Sequence, residues 1–270
     1  MSVKLIAIDM DGTLLNSQKK ISAENIVAIQ KASQAGIKIV LCTGRPKSGI
    51  VPYFEQLGLT DEEYIIMNNG CSVYNTKNWD LMVAEELTYD EIERLAQVCA
   101  SYPEVCLTLT GDKSYYALAD EVPDLVQYDA GLVFDTARAV DMADLKAEGE
   151  LIFQAMYMAK KEYLDVFQAA VDGDLSQDFS TVRSQEYIYE VLPQGATKAS
   201  GLRQLAEKLD IEPAEIMALG DAANDIEMLD FAGVSVAMGN ATDDIKKRCR
   251  YTTSSNDDYG VAKAIYDYAL

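Results

Sequence analysis

The chain has 270 residues and no histidine. That absence removes every mechanism in which an imidazole carries the proton or holds the metal, so a Ser-His-Asp triad, a Cys-His pair, an HExxH zinc helix and a phosphohistidine are all excluded. Cysteine is sparse too. Cys42, Cys71, Cys99, Cys106 and Cys249 are odd in number and show no CxxC spacing, so they read as reduced thiols in a cytoplasmic protein. No apolar run approaches the ~18 residues of a membrane span, and the run before Asp9 is too short for a signal-peptide core. Basic residues are few, 23 lysines and arginines against 44 aspartates and glutamates, for a net charge of −21. Such a chain repels phosphate backbones and anionic lipid, which argues against nucleic-acid and membrane partners. Catalysis, if present, is left to carboxylates, lysine, hydroxyls, thiols or a hard metal held by oxygen. With 49% hydrophobic and 25% charged residues the composition is ordinary globular usage, and the length suits one large or two modest domains.

The first 70 residues alternate strand and helix. Leu5 to Ile8 is a buried-strand run. Ser22 can cap a helix whose apolar residues Ile26, Ile29 and Ala32 recur at helical spacing as far as Gly36. Ile37 to Cys42 reads as a second strand, Pro46 to Leu57 as a helix stopped at Gly58, and Tyr64 to Met67 as a third strand. The pattern returns late in the chain, with helices over Lys198 to Leu209, Asn224 to Ala232 and Val261 to Tyr268 and strands over Ile216 to Leu219 and Val234 to Ala237. Between the halves, Thr88 and Glu91 form a capping box opening a helix to about Tyr102, LTLTGDKSYYALA reads as a hairpin around Gly111-Asp112, and a helix near Tyr163 to Asp172 separates two further strand regions. The second of these is expected to turn near Ser184 to Glu186. It would place Arg183 and Tyr187 on one face, where they would either pack or contact a sugar. The expectation is an α/β protein: a Rossmann-like parallel-sheet core from residues 1–83 and 192–270, with an inserted α+β cap domain over 84–191.

Four short segments carry candidate chemistry. Asp9-Met10-Asp11-Gly12-Thr13 places two carboxylates where an α/β sheet presents its ligands, at the carboxyl end of a strand. One acid can attack or hold a cation while the other moves protons. Thr43-Gly44-Arg45-Pro46 offers a hydroxyl, a close-approaching backbone and a helix N-terminus to an anionic oxygen. Lys198 opens a helix, where positive charge opposes the macrodipole and so points to a local anion. Gly220 to Asp225 repeats the acid-after-strand arrangement, and Asp221 could complete an oxygen-rich Mg2+ site with Asp9 and the carbonyl of Asp11. Taken singly, each has an ordinary reading as a polar turn, a threonine cap, a surface lysine or a helix cap. Cys42, beside Thr43, reads as a small buried thiol rather than a nucleophile.

Together, in this order, the four segments resemble the motifs of the haloacid dehalogenase superfamily, specifically its Cof-type sugar-phosphate phosphatases: DMDGTLL at 9–15, Thr43 in TGR, Lys198, and GDAAND at 220–225. The resemblance covers essentially the whole chain, the insertion included. It implies Asp9 as nucleophile and metal ligand, and Asp11 as the acid and base with its carbonyl on the metal. It implies Met10 (through its amide), Thr43, Gly44, Lys198 and Asn224 as phosphate-binding, Asp221 as the third metal ligand, and Asp225 orienting Lys198 or metal-bound waters. Asn69 in Asn-Gly-Cys resembles the family's Asn-Gly-Ala segment, with Cys71 in place of alanine, and either touches substrate or serves a turn. Arg45 is a further substrate candidate. A leaving halide needs no proton, so the acid at Asp11 argues for a phosphate ester. The expected activity is therefore Mg2+-dependent hydrolysis of a small phosphorylated metabolite, with no obligate protein partner. A phosphosugar mutase would keep the same four motifs. A receiver-like signalling module using Asp9 as phospho-acceptor is opposed by the insertion and by Asp11.

Overall fold

The computed structural model describes residues 2–270, which divide into two compact units: residues 2–44, 51–83 and 197–270, and residues 45–50 with 84–196. In chain order the first unit opens with β1 (Leu5–Asp9), α1 (Ala23–Gln34), β2 (Lys38–Cys42), α2 (Val51–Gln56), β3 (Tyr64–Met67), β4 (Ser72–Asn75) and β5 (Leu81–Ala84). The second unit follows with α3 (Tyr89–Cys99), β6 (Cys106–Gly111), β7 (Tyr115–Ala117), α4 (Asp124–Leu132) and β8 (Arg138–Ala139). It continues through α5 (Met142–Glu148), β9 (Ile152–Met158), α6 (Lys161–Asp178), β10 (Phe179–Gln185) and β11 (Ile188–Pro193). The chain then completes the first unit with α7 (Lys198–Leu209), β12 (Ile216–Gly220), α8 (Ile226–Phe231), β13 (Val234–Ala237), α9 (Asp243–Arg248), β14 (Tyr251–Thr252) and α10 (Gly260–Tyr268).

The sheet of the first unit runs β14-β13-β12-β1-β2-β3-β4-β5, parallel from β14 to β3, with β4 antiparallel to β3. Because β1 pairs with β2 on one side and β12 on the other, the order reverses beside β1, and such a switch point opens a crevice at the carboxyl ends of the strands. Burial on both faces explains the unbroken apolar runs: all five residues of β1 are buried. Leu5 and Ala7 join one core cluster with Leu202 and Leu205 of α7 and Met228 of α8, so Ile6 and Ile8 point to the opposite face. The second unit carries a six-stranded sheet, β10-β11-β9-β6-β7-β8. Tyr157 and Tyr189 pack on one of its faces with Phe167 of α6, while Met156 and Met158 pack on the other with Val126 and Ala130 of α4.

The expected helix over 46–57 is broken. A 3₁₀ turn over Lys47–Gly49 ends at Ile50 (φ −121°) before α2 begins. Pro52, in the first turn of α2, has no N–H to give the Ser48 carbonyl, so the helical ladder cannot run through from the preceding turn. The stretch read as a helix over 224–232 is likewise a 3₁₀ turn, Ala223–Asp225, followed by α8. The second hairpin of the inserted unit turns after Gln185, and a register shift between Arg183 and Gln185 removes the even spacing that placed Arg183 beside Tyr187. Arg183 spends its guanidinium at home, on the carbonyls of Gln185 and Glu186 and the side chains of Gln168 and Asp165. Tyr187 donates to Asp129 at 3.0 Å, as Tyr115 does at 2.9 Å.

One buried carboxylate ties the edge of the first unit together. Glu63 accepts from the Ser33 hydroxyl of α1 and the Ile39 amide of β2, both at 2.6 Å, while its own backbone exchanges bonds with Thr76 beyond β4. Burial pushes its carboxyl above the ordinary range, against the pull of those two donors. Glu63→Ala strips a buried amide of a charged acceptor, so urea unfolding should show a loss of roughly 3 kcal/mol; a loss under about 1 kcal/mol would show that the bonds are replaced by solvent.

Candidate active site

At the end of β1 the chain coils tightly. Thr13 and Leu15 donate their amides to the Met10 carbonyl and Leu14 to that of Asp9, with Gly12 at φ +88°. A Cβ on Gly12 would overlap the Asp221 carboxylate, so the close approach of the first and fourth motifs requires glycine here. At the end of β12, Gly220 leads into the 3₁₀ turn that carries Asn224 and Asp225. From the other direction α7 begins at Lys198, capped reciprocally by Thr197 and Ser200.

These three segments meet on one ammonium. Lys198 Nζ, in a side chain only 1% exposed, donates to Asp9 Oδ1 at 2.6 Å and Asp225 Oδ1 at 2.7 Å. The other oxygen of Asp225 accepts the amides of Asp221 and Ala222, each at 3.0 Å, so that oxygen is fully occupied while Oδ1 is turned to Lys198. Asp221 receives the Thr13 hydroxyl on Oδ1 at 3.1 Å and the Asn240 amide on Oδ2 at 3.2 Å. Asp9 Oδ2 is buried and has no hydrogen-bond partner.

The electrostatics follow from crowding. Burial works against the Lys198 ammonium, but the two carboxylates outweigh it and hold its pKa above the ordinary lysine range. Burial and then Asp225 push the Asp9 carboxyl up, with Lys198 opposing them, and burial and Asp225 likewise raise Asp221. Three carboxylates face one ammonium, an excess of two negative charges. A divalent cation would relieve it, and the donors present are hard oxygens of the kind Mg2+ prefers. Ligand oxygens of Asp9, Asp221 and Asp225 lie within 4.8 Å of one another, and Asp225 is the most heavily hydrogen-bonded of the three. The residues therefore fit a divalent metal.

The other sequence candidates fall as follows. Asp11 is half-exposed and accepts Lys19 Nζ at 2.7 Å. Thr43, buried, donates its amide to Ile66, and its carbonyl accepts the Asn69 amide at 3.0 Å. Asn69 adopts a left-handed conformation (φ 53°), and its Oδ1 accepts from Asn224 Nδ2 at 3.2 Å, so these two candidates and Thr43 form one polar group. The Asn69 side chain also lies in van der Waals reach of Gly44. Arg45 belongs to the second unit, where its Nη1 donates to the Gly49 carbonyl at 3.4 Å. Burial pushes the Cys42 thiol far above its ordinary range, in keeping with an inert core thiol. Sequence reasoning missed Thr13, Lys19 and Asn240. Thr13 stands within the first motif and could have been noticed there, but Asn240 carries no local signal.

A parallel sheet that gathers a buried lysine and three carboxylates at its switch point suits the handling of a phosphoryl group. Residues 6–265 match the sequence profile of the haloacid dehalogenase-like hydrolases, and the chain belongs to that family. It is similar to the Bacillus subtilis (strain 168) protein YxeH, 34% identical over 99% of this chain and 98% of that one. It is also similar to YcsE of the same organism, named a 5-amino-6-(5-phospho-D-ribitylamino)uracil phosphatase, with 32% identity over 100% of this chain and 97% of that one. The crystal structure of a haloacid dehalogenase-like hydrolase from Bacteroides thetaiotaomicron superposes with a TM-score of 0.88 at 30% identity, covering 98% of this chain and 99% of that one. The protein is a hydrolase acting on phosphomonoesters. No helix among the described residues is long and apolar enough to cross a membrane.

Lys198 is the residue on which the arrangement can be tested without substrate. Lys198→Met leaves Asp9 and Asp225 buried and unpaired, so denaturant unfolding in the presence of EDTA should show a loss of about 3–5 kcal/mol. An unchanged midpoint would mean that the carboxylates do not depend on the ammonium.

Proposed function

We propose that the protein hydrolyses small phosphomonoesters of sugar or polyol type through an aspartyl-phosphate on Asp9, with Asp11 as general acid and base and Mg2+ as cofactor. The observation that carries the reading is Asp9 itself: one oxygen is fixed by Lys198 and the other is buried without a partner, at the carboxyl end of the central strand. A carboxylate held in this way is aimed and desolvated, as an in-line nucleophile needs to be. The charged phosphoryl oxygens would be received by Lys198, the Thr43 hydroxyl, and the amides of Met10 and Gly44, with Asn224 adding a hydrogen bond. As the bond between phosphorus and the leaving oxygen breaks, its electron pair goes to that oxygen and Asp11 supplies the proton. Asp11, now a carboxylate, takes a proton from the water that attacks the aspartyl-phosphate, and phosphate leaves with Asp9 restored. Bound by Asp9, Asp221 and the Asp11 carbonyl, Mg2+ would neutralise charge on the phosphoryl group. Asp225 keeps Lys198 in place throughout.

The substrate class is supported by the relative YcsE, whose named substrate is a phosphorylated ribityl chain. A net charge of −21 repels such an anion at long range, so capture depends on local cation density, and modest affinity with broad specificity is expected. The inserted unit, residues 84–191, is the segment to which we assign substrate selection. A cytoplasmic location is supported by cysteines that are all unpaired.

Asp9→Asn should abolish phosphate release, and appreciable turnover would remove the nucleophile assignment. Asp11→Asn should slow a hexose phosphate by about 10²–10⁴-fold and p-nitrophenyl phosphate far less, because nitrophenolate leaves without a proton; equal losses on both would overturn the acid role. EDTA should abolish turnover and added Mg2+ restore it, as read by released phosphate. Full activity in EDTA would exclude the metal.

A further inference from the structure

Asn240 lies in the loop after β13, outside every motif, and its side chain joins two of the segments that build the site. Its Nδ2 donates to the Gly12 carbonyl at 2.8 Å and to Asp221 Oδ2 at 3.2 Å, while its Oδ1 accepts the Asn256 amide at 3.0 Å. The Thr13 hydroxyl occupies the other oxygen of Asp221. Both carboxylate oxygens of Asp221 are therefore turned by neutral donors, one from the first motif and one from Asn240. A neutral donor suits a metal ligand: it fixes the carboxylate plane and uses one lone pair per oxygen, without the positive charge by which lysine or arginine would compete with a cation. Asp225, by contrast, is held by a lysine and two amides, with its Oδ1 facing a positive charge that a cation would have to approach.

The same amide also reads the backbone of the catalytic loop. By holding the Gly12 carbonyl and the Asp221 carboxylate on one nitrogen, Asn240 sets the distance between the loop bearing Asp9 and Asp11 and the loop bearing Asp221. Asn256 continues the tie by donating to the Leu15 carbonyl at 2.9 Å, and its neighbour Asp257 accepts the Ser17 amide at 2.8 Å.

We propose that Asn240 is a positioning residue that presents Asp221 to the divalent cation and holds it in register with the loop after β1. The inference rests on the metal reading given above. It is tested by calorimetric titration of Mg2+ into the full-length wild type and into Asn240→Ala, Asn240→Ser, Asp257→Ala and Asp221→Ala. Asn240→Ala should weaken Mg2+ binding by about 10–100-fold and raise the Mg2+ concentration for half-maximal phosphate release by the same factor. Asn240→Ser keeps one donor and should fall between the two. Asp257→Ala loosens the same chain segment through Ser17 without touching Asp221, and should bind Mg2+ like the wild type. Unchanged affinity in Asn240→Ala, a tighter Asn240→Ala than Asn240→Ser, or an equal weakening in Asp257→Ala would overturn the role. Wild-type binding by Asp221→Ala is a different failure, because it would remove the metal site and not merely the positioning of one ligand.

Discussion

An ammonium taken out of water needs its counter-charges fixed in place, and the first unit is organised around meeting that need for Lys198. Removing a lysine head group from solvent costs several kcal/mol unless carboxylates approach with good geometry. Here they come from strands adjacent in the sheet but distant in sequence, Asp9 at the end of β1 and Asp225 in the turn after β12, while the lysine itself comes from the first turn of α7. None of the three can move alone. Asp225 is locked further by the amides of its own turn, so the fourth motif folds around the same carboxylate that holds the lysine. The core cluster of Leu5, Ala7, Leu202 and Leu205 brings α7 onto the sheet at the height this contact demands.

The charge at the site is deliberately unbalanced. Lys198 answers one carboxylate of the three, and the remainder raises the pKa values of Asp9 and Asp221. Neutral donors, Thr13 and Asn240, orient Asp221 without cancelling its charge. Absence of histidine fits this set of hard donors, because in the mechanism we propose each proton transfer and each neutralisation would fall to a carboxylate, a lysine or a hard cation. An imidazole would add a softer ligand with a preference for other metals.

Those features announced themselves in the sequence to different degrees. Strands such as Tyr64 to Met67 and helices such as Lys198 to Leu209 are legible because apolar runs and capping residues are local signals, and the bounds of both agree with the structure. The motif carboxylates are legible for a related reason: each directly follows a buried strand. The chain break at Pro52, the short α4 and α5 and the hairpin of β4 were not read, since their patterns are short or mixed. Arg183 and Tyr187 were placed on one face by a period that a bulge interrupts. Asn240 and Lys19 lie beyond any local reading. Asn240 reaches Gly12 across 228 positions of sequence, and Lys19 reaches Asp11 only because the loop folds back.

The left-handed Gly70, in the turn after β3, has its α-carbon pressed against the carbonyl of Thr197, where a side chain would find no room. This contact is main chain against main chain, at the residue just before Lys198. The residue that precedes Lys198 is thus held by backbone of the turn after β3, both partners lying within the first unit. Any side chain at position 70 would displace Thr197 and, with it, the first turn of α7. The reach of the ammonium to Asp9 and Asp225 is therefore set in part by the smallness of a hydrogen atom two strands away in the fold.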